Sequence, residues 1–240
     1  MSWTLIAHAH SRHSYDSLSA PGALVERAVA LGAHALAITD HDTWRGSIEA
    51  AEYAAARRLP IVIIRGSEVA TDLGDVIALF VGKDPVERRA LTLCDAVHAD
   101  GGLIVLPHPC RFREPPPDLV ARVDLIEAFN ARTPGAANLR GREIAAQAGK
   151  PMLVAPDAHR VAELGLARVV FEGDPPVDDA GLKAALLGAP RRFEARGGSI
   201  WDEWLSQVVK CTKRPDPKLA WHLARGVARR LLKPGEYAAE

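Results

Sequence analysis

Histidines and carboxylates recur in one setting in this 240-residue chain: the few positions just after a short apolar run. Trp3 to Ile6 is such a run, and His8 and His10 follow it two residues apart. In extended backbone that spacing puts both rings on one side. Asp16 lies in the polar loop beyond. Ala35 to Ile38 ends in Asp40, His41 and Asp42; Ile61 to Ile64 leads to Glu68; Leu103 to Leu106 leads to His108; Met152 to Ala155 leads to Asp157 and His159. Imidazoles mixed with carboxylates, none paired with cysteine in a structural-zinc spacing, suit zinc, manganese or iron in open catalytic sites. One ion takes three or four protein ligands, so this set is long enough for two or three divalent ions sharing a carboxylate. Closely spaced ions clamp the attacking and leaving oxygens of a phosphoryl displacement and acidify water. The residue types therefore favour phosphoester hydrolysis.

The elements that must position these residues alternate. Short apolar strands are expected at 3–6, 35–38, 61–64, 75–81, 103–106, 125–129, 152–155 and 168–171, the last of these closing the series. Helical spacing is expected at 21–32, opened by Pro21 and stopped by Gly32, and at 44–58, 85–100, 137–148 and 179–188. Pro115-Pro116-Pro117 predicts a stiff loop. Seven or eight strands alternating with helices are the signature of a parallel sheet. No glycine-rich phosphate fingerprint follows the first strand, which disfavours a dinucleotide fold. In a closed barrel the strand ends converge on one face, where the active site sits. Residues 197–240 differ: Gly197-Gly198 marks a boundary, and Lys218 to Lys233 reads as an amphipathic helix with a basic face, packed on the barrel.

Thirty basic and thirty acidic residues balance, so composition shows no global pull toward nucleic acid or membrane. No stretch approaches a membrane span. Three cysteines without paired spacing, and no leader-like segment, lead us to expect a reducing cytoplasm.

His8-Ala9-His10-Ser11 with Asp16, Thr39-Asp40-His41-Asp42, Glu68, Pro107-His108-Pro109, Ile126-Glu127-Ala128-Phe129-Asn130 and Asp157-Ala158-His159 resemble the ordered motifs of the PHP (polymerase and histidinol phosphatase) family. The resemblance runs from about residue 3 to residue 170. It implies an α/β fold, a distorted (β/α)7 TIM-like barrel over residues 1–196, with 197–240 as a helical C-terminal extension. It is strongest to stand-alone metal-dependent phosphoesterases, some of them nucleotide phosphatases or 5′–3′ exonucleases. Carried over by position, it implies one metal on His8, His10, Glu68 and Asp157, a second on Glu68 and His108, and a third on Asp16, His41 and His159. Asp40 and Asp42 would orient the loop and His41. Two departures stand out. The histidine pair is preceded by Ala7, with no equivalent of the acidic residue common two positions before it, and the strand after Glu68 holds no histidine. Asp75 there is either a substitute ligand or a strand-entry residue, so two metals are as admissible as three.

Asp40, His41, Arg111 and Arg132 are the candidates for catalytic work. Guanidinium groups bind phosphate bidentately, and Arg111, Arg113 and Arg132 follow strand ends. Glu127 is expected to support the site, and Asn130 to bond substrate or cap its loop. His13 would meet substrate or solvent, Cys110 would be a small buried residue, and His34, His98 and His222 would be structural or exposed. The expected substrate is a small phosphorylated molecule, a nucleotide or short oligonucleotide, with histidinol phosphate as an alternative. No obligate protein partner is evident. The rivals are an amidohydrolase-like enzyme acting on C–N bonds and a non-catalytic PHP module.

Overall fold

The computed structural model describes residues 1–84, 86–221 and 223. Nine strands appear among them: β1 (Ser2–Ala9), β2 (Ala35–Ile38), β3 (Val62–Thr71), β4 (Gly74–Leu79), β5 (Leu103–Leu106), β6 (Leu125–Asn130), β7 (Met152–Ala155), β8 (Ala167–Glu172) and β9 (Arg191–Ala195). They form one sheet in the order β7-β6-β5-β4-β3-β2-β1-β8-β9, curled into a nearly closed barrel. The helices are α1 (Pro21–Ala30), α2 (Arg45–Ala56), α3 (Ala90–Ala99), α4 (Pro117–Arg122), α5 (Gly135–Gln147), α6 (Asp179–Gly188) and α7 (Ile200–Lys213).

The alternation of each strand builds two environments. Leu5, Ala7, Ala35, Ala37, Ile64, Ile77, Leu79, Val105, Leu125 and Val169 meet in one cluster that fills the barrel. Trp3 lies on Phe171 there, rings 4.2 Å apart and nearly parallel, and Leu182 and Leu186 of α6 join the same cluster. The alternate residues Ile6, Leu36 and Ile38 pack outward on Leu24, Val25 and Ala28 of α1 and Ala50 and Ala54 of α2. Val76, Ala78, Ile104 and Ile126 do the same against α3, α4 and α5. Each large side chain fully buried this way contributes about 1.5–3 kcal/mol of transfer free energy.

The sheet is mixed, against the expectation of a parallel one. β1–β2, β2–β3, β5–β6 and β6–β7 run parallel. β3–β4, β4–β5, β1–β8 and β8–β9 run antiparallel. β3 continues beyond the expected run and returns at once through a tight turn at Gly74, φ 112°, where a helix would be needed to keep the strands parallel. β9 pairs along β8 where no further strand was expected, and the proline loop ends in α4, with Pro117 as its first residue, where the missing N–H costs nothing. The C-terminal helix observed is α7, at 200–213; the expected one at 218–233 falls largely outside the described residues. No helix among the described residues is long and apolar enough to cross a membrane.

Candidate metal centre

Strict alternation would send His8 outward beside Ile6. The chain avoids this by a left-handed turn at His8, φ 60°, with a register shift against β2 between Ile6 and Ala9. Ala7 faces the barrel interior and Ala9 packs outward. His8 and His10 both end up buried, 1 % and 0 % exposed. His108 and Asp157 use the same device at their strand ends, φ 29° and 49°. The barrel seam closes here as well: Ala9 bridges Ala158, with the His10 N–H donating to the Ala158 carbonyl at 2.8 Å and the Ala158 N–H to the His8 carbonyl at 3.2 Å. The strand ends that carry the ligand set are thus stitched directly to one another.

Four donor atoms meet at the centre. His8 Nε2 lies 3.1 Å from His10 Nε2, 3.3 Å from Glu68 Oε2 and 3.5 Å from Asp157 Oδ1. His10 Nε2 lies 3.4 Å from Glu68 Oε2 and 3.3 Å from Asp157 Oδ1. An ion about 2.0–2.1 Å from its ligands holds tetrahedral neighbours about 3.3–3.4 Å apart, within a few tenths of an ångström of each of these five distances. The ring protons are placed elsewhere. His8 Nδ1 is 2.7 Å from Glu127 Oε1, so its proton goes to that carboxylate. His10 Nδ1 is 3.0 Å from Ser14 Oγ, which itself donates to Asp40 Oδ1 at 2.8 Å and so accepts from the ring. With His8 neutral, both Nε2 atoms turn lone pairs toward one point; in the absence of an ion a proton on His8 Nε2 fills that place, and a bound cation would replace it.

Two further sets adjoin. His10, Asp16, His41 and His159 bring donor atoms within 4.8 Å of one another. Asp16 Oδ2 is 3.2 Å from His41 Nε2 and 3.1 Å from His159 Nε2, while Asp16 Oδ1 is buried without any partner, an orphaned oxygen of the kind a bound ion would satisfy. Glu68, Asp75 and His108 form the other set, with Glu68 Oε1 2.8 Å from His108 Nε2. The antiparallel return of β4 is what carries Asp75 there, the position left open between ligand and strand entry. His8, His108 and Asp157 also share a donor set. The ligand set read from the sequence therefore converges in one buried cluster.

The residues around it aim the donors. Glu127 holds His8 Nδ1 with one oxygen and accepts from the His108 N–H and Asn130 Nδ2 with the other, at 2.8 and 2.9 Å. The carboxylate of Asp40, fully buried, belongs to none of the donor sets. It accepts from the Ser11 N–H at 2.6 Å, Ser11 Oγ at 2.7 Å and Ser14 Oγ at 2.8 Å, and so fixes the loop that aims His10. Ser14 was not singled out from the sequence, yet its hydroxyl also takes the His41 N–H at 3.0 Å.

Burial alone would depress His41, but Glu68 and Asp16 override it and raise its pKa to about 9. His8 is likewise driven up, against burial, by Glu127, Asp157 and Glu68. Burial, with His159 and His41 beside it, pushes His10 down to about 3. Glu68, Asp157 and Asp16 are held below the usual carboxylate range by the histidines, although burial opposes this. In chelated protein, a histidine raised on folding stabilises fully below its unfolded pKa near 6.5, and that contribution is lost as pH rises through about 9. The depressed carboxylates contribute above about pH 4 and lose their contribution below it. Calorimetry on chelated protein should therefore show the unfolding temperature falling between pH 6.5 and 9. Saturating zinc should flatten that fall, since the cation replaces the proton.

The remaining candidates scatter. Arg111 reaches the cluster, Nη1 3.4 Å from Asp157 Oδ2, and its Nη2 donates to Glu203 Oε1 at 2.9 Å. Arg132, expected at substrate, is instead buried, 4 % exposed, on Glu163 and Ser206. Arg113 donates to the Asp72 carbonyl. His13 pairs with Glu49, His98 with Asp124, and His34 accepts from the Thr4 N–H. Cys110 is partly buried against the outer core. His222 lies outside the described residues.

Residues 7–108 match the model of the PHP domain and residues 135–188 that of the PHP-associated family. The chain is 32 % identical over 123 residues to an uncharacterized protein of Methanocaldococcus jannaschii, 48 % of this chain and 69 % of that one. It is 46 % identical over 63 residues to an error-prone DNA polymerase of Nocardia farcinica, 26 % of this chain but only 5 % of the polymerase. A two-domain protein of Bacteroides vulgatus, described as containing a predicted PHP-like metal-dependent phosphoesterase, shares the fold. Its TM-score is 0.69 at 18 % identity, over 82 % of this chain and 65 % of that one. Family models at both ends of the barrel, a relative matched over most of its length and a shared fold agree: this chain belongs to the PHP family.

Proposed function

We propose that the chain is a metal-dependent phosphoesterase that hydrolyses a small phosphorylated substrate, a nucleotide or a short oligonucleotide. The observation that carries this reading is the pair of imidazole Nε2 atoms 3.1 Å apart, each 3.3–3.5 Å from both Glu68 Oε2 and Asp157 Oδ1. Divalent ions, zinc, manganese or iron, would supply Lewis-acid stabilisation of phosphoryl oxygens and acidify water. His8, His10, Glu68 and Asp157 would hold one; Glu68, His108 and Asp75 a second; Asp16, His41 and His159 a third.

The chain's own part is orientation and charge. Glu127 keeps the His8 proton on Nδ1, and the Ser14–Asp40 pair does the same for His10. Arg111 is a cation in reach of a phosphate, since its guanidinium already spans from Asp157 to Glu203. Phe112 supports a substrate with a planar ring. It is 79 % exposed, sits edge-on to His108 at 6.3 Å, and lines two cavities, of about 210 and 520 Å³. The polymerase relative keeps the non-catalytic reading as the alternative; a ligand set kept nearly whole weighs against it.

Elemental analysis of the purified chain, with a panel of nucleotides, oligonucleotides, histidinol phosphate and amides, tests this. Two or three equivalents of divalent ion and turnover confined to phosphoesters are expected. Turnover of amides alone, or of nothing with the ions bound, overturns it. Arg111→Met should lower kcat/KM on the best phosphoester by about 10- to 100-fold, the worth of a charged hydrogen bond.

A further inference from the structure

α7 lies beyond both family matches, yet its contacts go to the loops that carry the ligand set. Glu203 holds Arg111 and Ser206 holds Arg132, and Asp202 pairs with Arg160 next to His159. At its other end, the Lys213 ammonium donates to the carbonyls of Arg12, Ser14 and Ser17, each at 2.7 Å. All three of its protons are spent on carbonyls that bracket Asp16. One residue earlier in that loop, the Tyr15 ring stacks on His41, centroids 4.4 Å apart at 6°. Lys210 and Arg214 lie over the same ring at 4.9 and 4.4 Å.

This placement needs a reason. An ammonium set beside a cation-binding loop opposes cation binding by charge alone. What it offers in return is geometry. The loop from Ser11 to Ser19 has no helix or strand of its own, yet it must hold Asp16 against two imidazoles on different elements. Asp40 grips one side of that loop through Ser11 and Ser14. Lys213 grips it through its main-chain carbonyls.

We propose that Lys213 is a positioning residue for the Asp16 subsite, so that the set Asp16–His41–His159 binds its ion only with α7 docked. The proposal rests on the metal-centre reading above, and the two fail differently. Charge and geometry also predict opposite signs. The full chain and its Lys213→Met and Lys213→Arg variants would be stripped with chelator and titrated with zinc(II) in a calorimeter, with ion content checked by elemental analysis. Circular dichroism would monitor the fold. Lys213→Met should bind one ion about 10- to 100-fold more weakly, the usual effect of losing a group that orients a ligand, with the other ions unaffected. Lys213→Arg should recover part of the loss, since its fork supplies donors but not three converging ones. Equal or tighter binding of every ion by folded Lys213→Met would overturn the proposal. A uniform loss at all sites would overturn it too, because it would make α7 a general support. Wild-type chain that binds no zinc would instead remove the metal-centre reading itself.

Discussion

Glu68→Gln should leave the barrel folded, strip most of the bound divalent ion, and lower phosphoester turnover by about 10²- to 10³-fold. Glu68 reaches four of the five histidines of the centre. Its Oε2 lies 3.3, 3.4 and 3.2 Å from nitrogens of His8, His10 and His41, and its Oε1 lies 2.8 Å from His108. Glutamine keeps the shape and the β3–β4 pairing of residue 68 with Ile77. It replaces one anionic oxygen by an NH2, which donates to the ring nitrogens where a ligand must accept. Elemental analysis and turnover on the same sample check this. A full complement of ions with unchanged turnover would mean that the reaction takes place elsewhere on the molecule.

Gly46→Ala should destabilise the chain by about 3–5 kcal/mol, although residue 46 touches no donor. A Cβ there would stand 1.9 Å from Asp40 Oδ2 and 2.4 Å from Ser11 Oγ. Neither atom can give way. Asp40 is fully buried and held by Ser11 and Ser14, and burial raises its pKa despite those bonds, so a displaced carboxylate would lose its only compensation. Overpacking costs about 1–3 kcal/mol and disrupted hydrogen bonds to a charge about 1.5–3 more. Thermal unfolding should report a fall of about 10 °C. Zinc affinity should fall with it, because Ser14 aims His10. Gly46→Ala with unchanged unfolding temperature and affinity would show the network to be adaptable.

Most of the strands and the histidine–carboxylate set were legible because each strand is a short apolar run, and each run hands over to its polar residues within a few positions. Strand direction was not. An apolar run such as Ile61 to Ile64 reads the same whether its successor returns beside it or crosses over, so the β3–β4 hairpin, and with it the placement of Asp75, needed coordinates. β9 was missed because its five residues include two arginines and a glutamate and it is largely exposed along an edge. α7 falls inside the helical extension expected over 197–240, but the sequence pattern placed its helix later, at 218–233. The signals of α7 are Ser199 and Asp202, which cap it reciprocally, but tryptophans and charges crowd the same segment. Ser14 and Lys213 act through main-chain and hydroxyl geometry, and neither residue type announces chemistry by itself.

The left-handed backbone at His8, His108 and Asp157 restricts how this centre can evolve or be re-engineered. Asparagine, aspartate, histidine and glycine occupy that conformation with the least penalty, and β-branched side chains pay heavily for it. A library aimed at another ion therefore has a narrow alphabet at these three positions and a wide one at Glu68 or Asp75, which lie on ordinary strand backbone. Drift in ion preference should accumulate on the hairpin, while the strand-end positions stay fixed by the turns they occupy.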